Sequence, residues 1–136
     1  MVTEEALNEA IYKRYIEPTG RERTKRVGLE FELPILNIKN EPVDFDVVHK
    51  MAEDFVSKFH FGNIFCDDDG YIYLATDETT GDNLSFDCSY NTLEFSFGAE
   101  TDIGPLADRF ALYYKYVKDK LNKQGHTITG MGINPH

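Results

Sequence analysis

Two short stretches of the sequence alternate apolar and polar side chains at every second position. In residues 27–33 Glu30 and Glu32 alternate with apolar residues, and in residues 91–97 Glu94 holds the same kind of position. Side chains two apart on a β-strand project from the same face of the sheet. Each stretch therefore predicts a strand with one buried face and one solvated face. Such half-exposed strands are typical of antiparallel sheets, because both faces of a parallel sheet are normally covered by helices.

The rest of the chain predicts helices and hairpin-connected strands. Apolar residues recur at three- and four-residue steps in residues 4–16, 46–60 and 103–121, which indicates three helices. Asp44 or Asp46 can cap the second helix, and Thr101 or Asp102 the third. Further strands are predicted at residues 71–75, 84–87 and 126–132, so the predicted order is αβαβββαβ. We expect residues 1–136 to form a single α+β domain, in which helices cover one face of a mainly antiparallel sheet and leave the other open.

The charge of the chain restricts its partners. The sequence has 14 Lys and Arg against 24 Asp and Glu, a formal charge of −10. Because this field repels polyanions, nucleic acid and anionic membranes are not expected partners. No apolar run approaches the roughly 20 residues that would span a bilayer, and residues 1–5 do not resemble a signal peptide, so we expect a cytoplasmic protein. Cys66 and Cys88 have no metal-binding spacing and are expected to be reduced thiols.

The glutamates on the polar faces are the residues best suited to chemistry. Glu30 and Glu32 lie about 7 Å apart on one face of a strand, where their charges repel each other. Solvent can relieve this repulsion. Antiparallel sheets commonly have one solvent-exposed face, so two glutamates there need no bound cation. A cation can also relieve it, and carboxylates from several strands, including Glu94, are ligands that Mg²⁺ accepts when phosphate supplies the others.

Other kinds of site are not supported. Residues 67–70 fit a turn and not a calcium-binding loop, since neither Phe65 nor Thr76 would supply the ligands required at the ends of that loop. The sequence has no phosphate-binding GxxxxGK[ST] motif. Neither His49 nor His60 stands near a recognisable nucleophile motif.

Three blocks of the sequence resemble the glutamate-cysteine ligase superfamily. Residues 26–32, RVGLEFE, are similar to the family's first motif, in which a glycine precedes two glutamates separated by one residue. Residues 87–95, DCSYNTLEF, are similar to its next strand, where an aspartate lies seven residues before a glutamate. Residues 130–136, GMGINPH, are similar to a glycine-rich strand end that follows the family's long helix. The blocks span most of the chain in the family's order.

This resemblance implies a fold and an activity. It implies a curved antiparallel sheet of the glutamine synthetase and glutamate-cysteine ligase type, of which this chain would form half of a funnel. In the family, Mg²⁺ on the inner face bridges ATP to the γ-carboxylate of glutamate, and cysteine or another amine attacks the resulting acyl phosphate, a step of glutathione biosynthesis. By matching position, Glu30, Glu32, Asp87 and Glu94 would be Mg²⁺ ligands. Arg26, with the basic residues 21–25, would contact anionic substrate.

The resemblance also implies that the chain is incomplete. The family's catalytic domains are far longer than 136 residues, so we expect an N-terminal part that is inactive alone. A second copy, or the remainder of the ligase, would complete the funnel. The alternative interpretation is a non-catalytic acidic α+β module that binds a metal or a protein.

Overall fold

A six-stranded antiparallel sheet forms the centre of the protein. The structure is a computed structural model that describes residues 2–22, 24–87 and 89–131. The strands are β1 (Val27–Asn37), β2 (Ile64–Cys66), β3 (Ile72–Thr76), β4 (Asn83–Phe86), β5 (Thr92–Glu100) and β6 (His126–Ile128). Their order in the sheet is β2-β3-β4-β5-β1-β6, and every neighbouring pair is antiparallel. The longest strands, β1 and β5, therefore pair with each other near the middle of the sheet.

Two capped helices cover one face of this sheet. These two helices are α2 (Phe45–Phe59) and α3 (Ile103–Asn122), and a further helix, α1 (Glu4–Ile11), precedes β1. At the start of α2 the Asp44 carboxylate accepts a hydrogen bond from the Asp46 N–H, and at the start of α3 the Asp102 carboxylate accepts one from Gly104. These caps satisfy backbone donors that have no partner within the helix. The α2 helix packs on β3, α3 packs on β5, β1 and β6, and the two helices pack on each other.

The core lies between the helices and the apolar face of the sheet. Leu33 on β1 and Phe95 on β5 are buried, as are the inward-facing residues Phe55 on α2 and Leu106 on α3. The predicted alternation is confirmed, because Glu30 and Glu32 are exposed on the other face while Leu29 and Phe31 pack against the core. Burying these aromatic and aliphatic side chains supplies most of the drive to fold.

The α+β class and the antiparallel sheet are confirmed. One strand was not predicted, and two predicted elements differ in detail. The short edge strand β2 has no counterpart in the prediction. The first predicted helix is α-helical only to Ile11, then forms a π-helix at Tyr12–Ile16 and a 3₁₀ helix at Glu17–Gly20. The last strand ends at Ile128, short of the predicted residue 132. Cys88 and residues 132–136 lie outside the described residues.

The turn between β3 and β4 packs closely against β5. Gly81 adopts a positive φ of 75°, which favours glycine, and its N–H donates to the Asp77 carbonyl. A Cβ atom at Gly98 on β5 would lie 1.9 Å from the Thr80 carbonyl oxygen. Glycine at position 98 thus lets the turn lie directly against the neighbouring strand.

The N-terminal helical segment stands apart from the sheet. Neither α1 nor the π-helix after it contacts any strand or other α-helix of the described chain. Its apolar side chains, including Leu7, Ile11 and Tyr15, are largely exposed. Over the described residues, none of the helices combines the length and apolar character that crossing a bilayer requires.

Candidate functional site

Two of the predicted site residues face each other on the open side of the sheet. Glu32 on β1 is paired directly with Glu94 on β5. The hydrogen bonds from the Ile35 N–H to Asn91 and from the Thr129 N–H to Pro34 place Glu32 at a non-hydrogen-bonded position relative to β5. In such pairs the Cα atoms are only about 4.5 Å apart, closer than in hydrogen-bonded pairs. The two carboxylates therefore project side by side into solvent.

The other two predicted metal ligands share this face but lie further away. Glu30 is paired with Ser96, one step of about 7 Å along the strand from Glu32. Asp87 follows the end of β4, and its N–H donates to the Thr92 carbonyl at 3.1 Å. This bond continues the ladder, so Asp87 occupies the same face as Ser85 and Glu94. All four acids therefore lie on the open face, in a band across three strands.

A hollow of about 420 Å³ adjoins Glu94 on this face. Its lining residues are Tyr73, Leu74, Asn83, Ser85, Phe86, Asp87, Glu94 and Ser96. The Ser96 hydroxyl donates to the Glu94 carboxylate at 2.7 Å, and the Thr76 hydroxyl donates to the Asn83 amide oxygen at 2.6 Å. The hollow thus combines carboxylates, hydroxyls and an amide with residues of β3 and β4, a mixture that suits a small polar ligand.

The acids do not converge into a closed metal cage. Within the described part of the chain, no group of three or more His, Cys, Asp or Glu side chains is close enough together to hold a metal ion. A calcium site built from protein oxygens alone would need more ligands than the Glu32 and Glu94 pair provides. Mg²⁺ differs, because it keeps several waters and is commonly held by one or two carboxylates together with substrate phosphates. The facing pair fits that second arrangement.

Arg26 lies far from the facing carboxylates. It is exposed just before β1, six positions from Glu32, a separation of roughly 20 Å along the strand. Arg21 and Lys25 are also exposed, while Arg23 lies outside the described residues. The structure therefore does not bring Arg26 to the Glu32 and Glu94 pair, and only an extended ligand such as a nucleotide would reach both.

A buried ion pair on the helical side of the sheet was missed by sequence reasoning. Asp82 is 1% exposed, and both its oxygens accept hydrogen bonds from Arg109 on α3. It also accepts hydrogen bonds from the Gly98 N–H at 3.0 Å and the Tyr113 hydroxyl at 3.3 Å. Burial, and next the charge of Asp82, raises the pKa of Tyr113, so this hydroxyl remains a donor. The network fastens the β3–β4 turn to β5 and α3.

A buried histidine was also missed. His49 on α2 stacks on Tyr71 with ring centroids 3.6 Å apart, and Tyr90 meets it edge-on at 4.3 Å. Neither ring nitrogen of His49 has a hydrogen-bond partner among the described residues. Burial lowers the pKa of His49, although the carboxylates of Asp67, Asp46 and Glu53 act in the opposite direction. The periodicity of α2 alone could have placed position 49 near the core.

Asp67 anchors the turn next to this histidine. Its carboxylate accepts hydrogen bonds from the Tyr90 hydroxyl at 2.6 Å and from the N–H groups of Asp69 and Tyr71. These bonds, with that of Tyr90 the strongest, lower the pKa of Asp67. Gly70 has a positive φ of 88°. The prediction of a turn at residues 67–70 is confirmed.

Comparison with known proteins gives no family for the chain. No protein-family model matches the sequence, and no curated protein is significantly similar to it.

Proposed function

We propose that this chain forms part of the active site of an ATP-dependent carboxylate-amine ligase of the glutamate-cysteine ligase type. The observation that carries the proposal is the pairing of Glu32 with Glu94 on an open, polar sheet face. Two facing carboxylates repel each other without a counterion, and no Lys or Arg of the described chain forms an ion pair with either of them. A divalent cation would neutralise both.

The arrangement suits a metal–nucleotide complex better than a bare ion. In this proposal Glu32 and Glu94 would hold Mg²⁺, and Glu30 and Asp87 lie on either side of them along the band. Bound Mg²⁺ would neutralise the charge of transferring phosphoryl oxygens. The protein's own residues then bind and orient the reactants, with the Ser96 hydroxyl fixing the Glu94 carboxylate and the adjoining hollow receiving the carboxylate substrate.

The architecture supports the proposal at the level of the sheet. An antiparallel sheet with helices on one face and acids on the other is compatible with one wall of a glutamine synthetase-like funnel. The curvature of that wall, glutamate as the acid and cysteine or another amine as the acceptor belong to the proposal and come from the resemblance of residues 26–32 and 87–95. The second wall would come from another copy or from further chain.

Calorimetry with Mg²⁺ and ATP tests the metal site. We expect Mg²⁺-ATP to bind the chain, and Glu32→Gln or Glu94→Gln to weaken binding by at least about tenfold, because each removes one of two charged ligands. Glu30→Gln should weaken it less. Glu41→Gln is the matched control, because it removes the same charge from an exposed turn elsewhere in the chain.

Two results would count against the ligase proposal. Equal binding of Mg²⁺-ATP by the wild type, Glu32→Gln and Glu94→Gln proteins would show that the facing pair does not bind the metal. Binding of Mg²⁺ that ATP does not strengthen would instead favour the non-catalytic metal-binding module.

A further inference from the structure

The N-terminal half of β1 has an outer edge on which no strand of the described chain is paired. The strand β6 occupies this edge only from Pro34 onward, where the Pro34 carbonyl accepts a hydrogen bond from the Thr129 N–H. Met131 does not continue this ladder, because its N–H donates to the Thr129 hydroxyl at 3.3 Å. Glu30 and Glu32 are at non-hydrogen-bonded positions relative to β5, so their backbone groups face this edge. Such an edge can pair with another strand.

The charges along this stretch are self-complementary. Residues 25–33 carry two bases at one end, Lys25 and Arg26, and two acids at the other, Glu30 and Glu32, so their net charge is zero. Arg26, Glu30 and Glu32 are exposed, and none of them forms an ion pair within the described part of the chain. An antiparallel copy of the same stretch would therefore bring its basic end against the acidic end of this one.

A two-fold axis at Leu29 brings the opposite charges of two copies together. Leu29 lies midway between Arg26 and Glu32 in the sequence, so this axis places Arg26 of each copy directly opposite Glu32 of the other. Directly opposed residues of an antiparallel pair project from the same face, so both side chains lie on the open face once Arg26 joins the strand. Axes at Glu30 or Phe31 would instead place glutamates opposite each other, which is destabilising. The charge pattern therefore selects against those registers.

The apolar residues on the helix-covered face of β1 favour the same register. Leu29 and Phe31 are only half-buried against the core, and Val27 is 38% exposed. The axis at Leu29 pairs the two Leu29 side chains with each other and Val27 with Phe31, so each of these residues meets an apolar partner. An axis at Gly28 would instead set the charged Lys25 against Phe31. Only the register about Leu29 therefore suits both faces of β1.

The backbone supplies the rest of the contact. In this register the edge-facing residues of the two copies form four hydrogen-bonded pairs, which provide about eight backbone hydrogen bonds. The net charge of −10 on each copy opposes association. At physiological ionic strength, however, exposed charges more than about 8 Å apart are largely screened, whereas Arg26 and Glu32 would be in direct contact. We therefore expect a dimer that dissociates on dilution, and a monomer in which Glu32 and Glu94 repel each other as described above.

We propose that residues 25–33 pair with the same residues of a second copy of this chain about a two-fold axis at Leu29, so that each copy supplies Arg26 to Glu32 of the other. Within one chain Arg26 lies far from the Glu32 and Glu94 pair, so the second copy contributes a cation that the described chain does not place there. The pairing needs neither metal nor nucleotide, so it does not depend on the proposed ligase activity. Its assay contains EDTA, so dimer formation and Mg²⁺-ATP binding can succeed or fail separately.

Sedimentation velocity in EDTA over a range of protein concentrations tests the dimer. Arg26→Glu and Glu32→Arg should each weaken dimer formation at least about tenfold, because like charges then oppose each other at both ends of the contact. An equimolar mixture of the two variants should recover the dimer, since the two reversed residues oppose each other, as do the two native ones. Arg21→Glu and Glu41→Arg are the controls, because they make the same charge changes at exposed positions outside residues 25–33. Both should dimerise like the wild type.

Disulfide formation tests the register. In a Cys66→Ser/Cys88→Ser background, Leu29→Cys should form a disulfide-linked dimer with oxidised glutathione. The two residues occupy a non-hydrogen-bonded pair with Cα atoms about 4.5 Å apart, which is within the range of a disulfide. Phe31→Cys alone should not form this dimer, because Phe31 is opposite Val27. A mixture of Phe31→Cys and Val27→Cys should.

Four results would overturn the proposal. They are a wild type that stays monomeric at every concentration, a dimer that neither charge reversal weakens, mixed charge variants that fail to associate, and a disulfide at Phe31→Cys without one at Leu29→Cys. Circular dichroism separates these results from unfolding. Because Arg26 and Glu32 are exposed, both charge variants should keep the wild-type spectrum.

Discussion

Arg109 donates two hydrogen bonds to the buried carboxylate of Asp82, from Nε to Oδ2 at 2.7 Å and from Nη2 to Oδ1 at 3.1 Å. A third bond, from Nη1, reaches Glu100 at the end of β5. One side chain of α3 therefore holds both the β3–β4 turn and the strand that carries Glu94. Two-point contacts of this kind fix orientation as well as distance.

Removal of Arg109 should destabilise the protein strongly. Arg109→Met leaves the charge of Asp82 buried and unpaired, so we expect the free energy of unfolding to fall by about 3–5 kcal/mol in urea denaturation. Adding Asp82→Asn should recover part of this loss, because asparagine is uncharged and still accepts from the Gly98 N–H. Lys115→Met is the control, because Lys115 and Asp119 form an exposed pair that should contribute less than about 1 kcal/mol. Equal losses at both positions would contradict the prediction.

Gly98→Ala should also be destabilising. The added Cβ would lie 1.9 Å from the Thr80 carbonyl oxygen, so the turn or the strand must shift. Such overpacking costs about 1–3 kcal/mol or more, and we expect a lower midpoint in thermal or urea unfolding. Gly130→Ala is the comparison, because a Cβ there meets nothing within 4 Å. A stability of Gly98→Ala equal to that of wild type would show that the close approach is absent in solution.

His49 should make stability depend on pH. Its folded pKa lies below the ordinary value of 6.5, so the unfolded chain takes up a proton first as the pH falls. Stability is therefore retained above about pH 6.5 and lost below it, by at most about 1.4 kcal/mol per pH unit, until the folded pKa is reached. His49→Phe keeps an aromatic ring beside Tyr71 and should flatten this slope in urea denaturation between about pH 7 and pH 5.5.

Replacing the exposed His60 by Asn is the control for that experiment. Asn tolerates the left-handed backbone of position 60, where φ is 58°. This variant should retain the wild-type slope. If His60→Asn removes the slope and His49→Phe does not, the pH dependence does not come from the buried ring.

Glu32→Gln should stabilise the protein in the absence of divalent ions. Like charges directly opposite each other across two strands are destabilising, by a few tenths to about 1 kcal/mol. Relief of this repulsion should raise the urea midpoint, most clearly at low salt. Glu30→Gln should have a smaller effect, because Glu30 is paired with Ser96 and not with a carboxylate. A lower stability of Glu32→Gln than of wild type would refute a repulsive pair.

Local sequence patterns predicted the elements with a strong period. The alternation around Glu30 and Glu94 correctly gave two strands with a solvated face, and the apolar spacing of α2 and α3 gave two helices with their aspartate caps. The strand β2 was missed because its three residues are too few to show a period. It exists through pairing with β3, which no local pattern reveals.

Contacts between residues that are far apart in the sequence could not be predicted from local patterns. Asp82 and Arg109 are 27 positions apart, and each belongs to a residue type that is usually exposed. The pairing of Glu32 with Glu94 required the register of β1 against β5, which follows from the packing of both strands on the helices. That Glu30 and Glu32 share one face was expected from alternation, and Asp87 was a candidate only through the family resemblance. The spread of the four acids along a band, instead of a cluster, was not expected.

Pro34 divides β1 into two stretches with different neighbours. On the C-terminal side of Pro34, β6 pairs with the outer edge of β1. On the N-terminal side of Pro34, no strand in the described part of the chain pairs with that edge. The N–H groups of Glu30 and Glu32 point to this open edge, whereas those of Phe31 and Leu33 point to β5. Amide hydrogen exchange should therefore alternate between fast and slow along consecutive residues of a single strand. The same row of open backbone groups offers a template on which a seventh strand could be added.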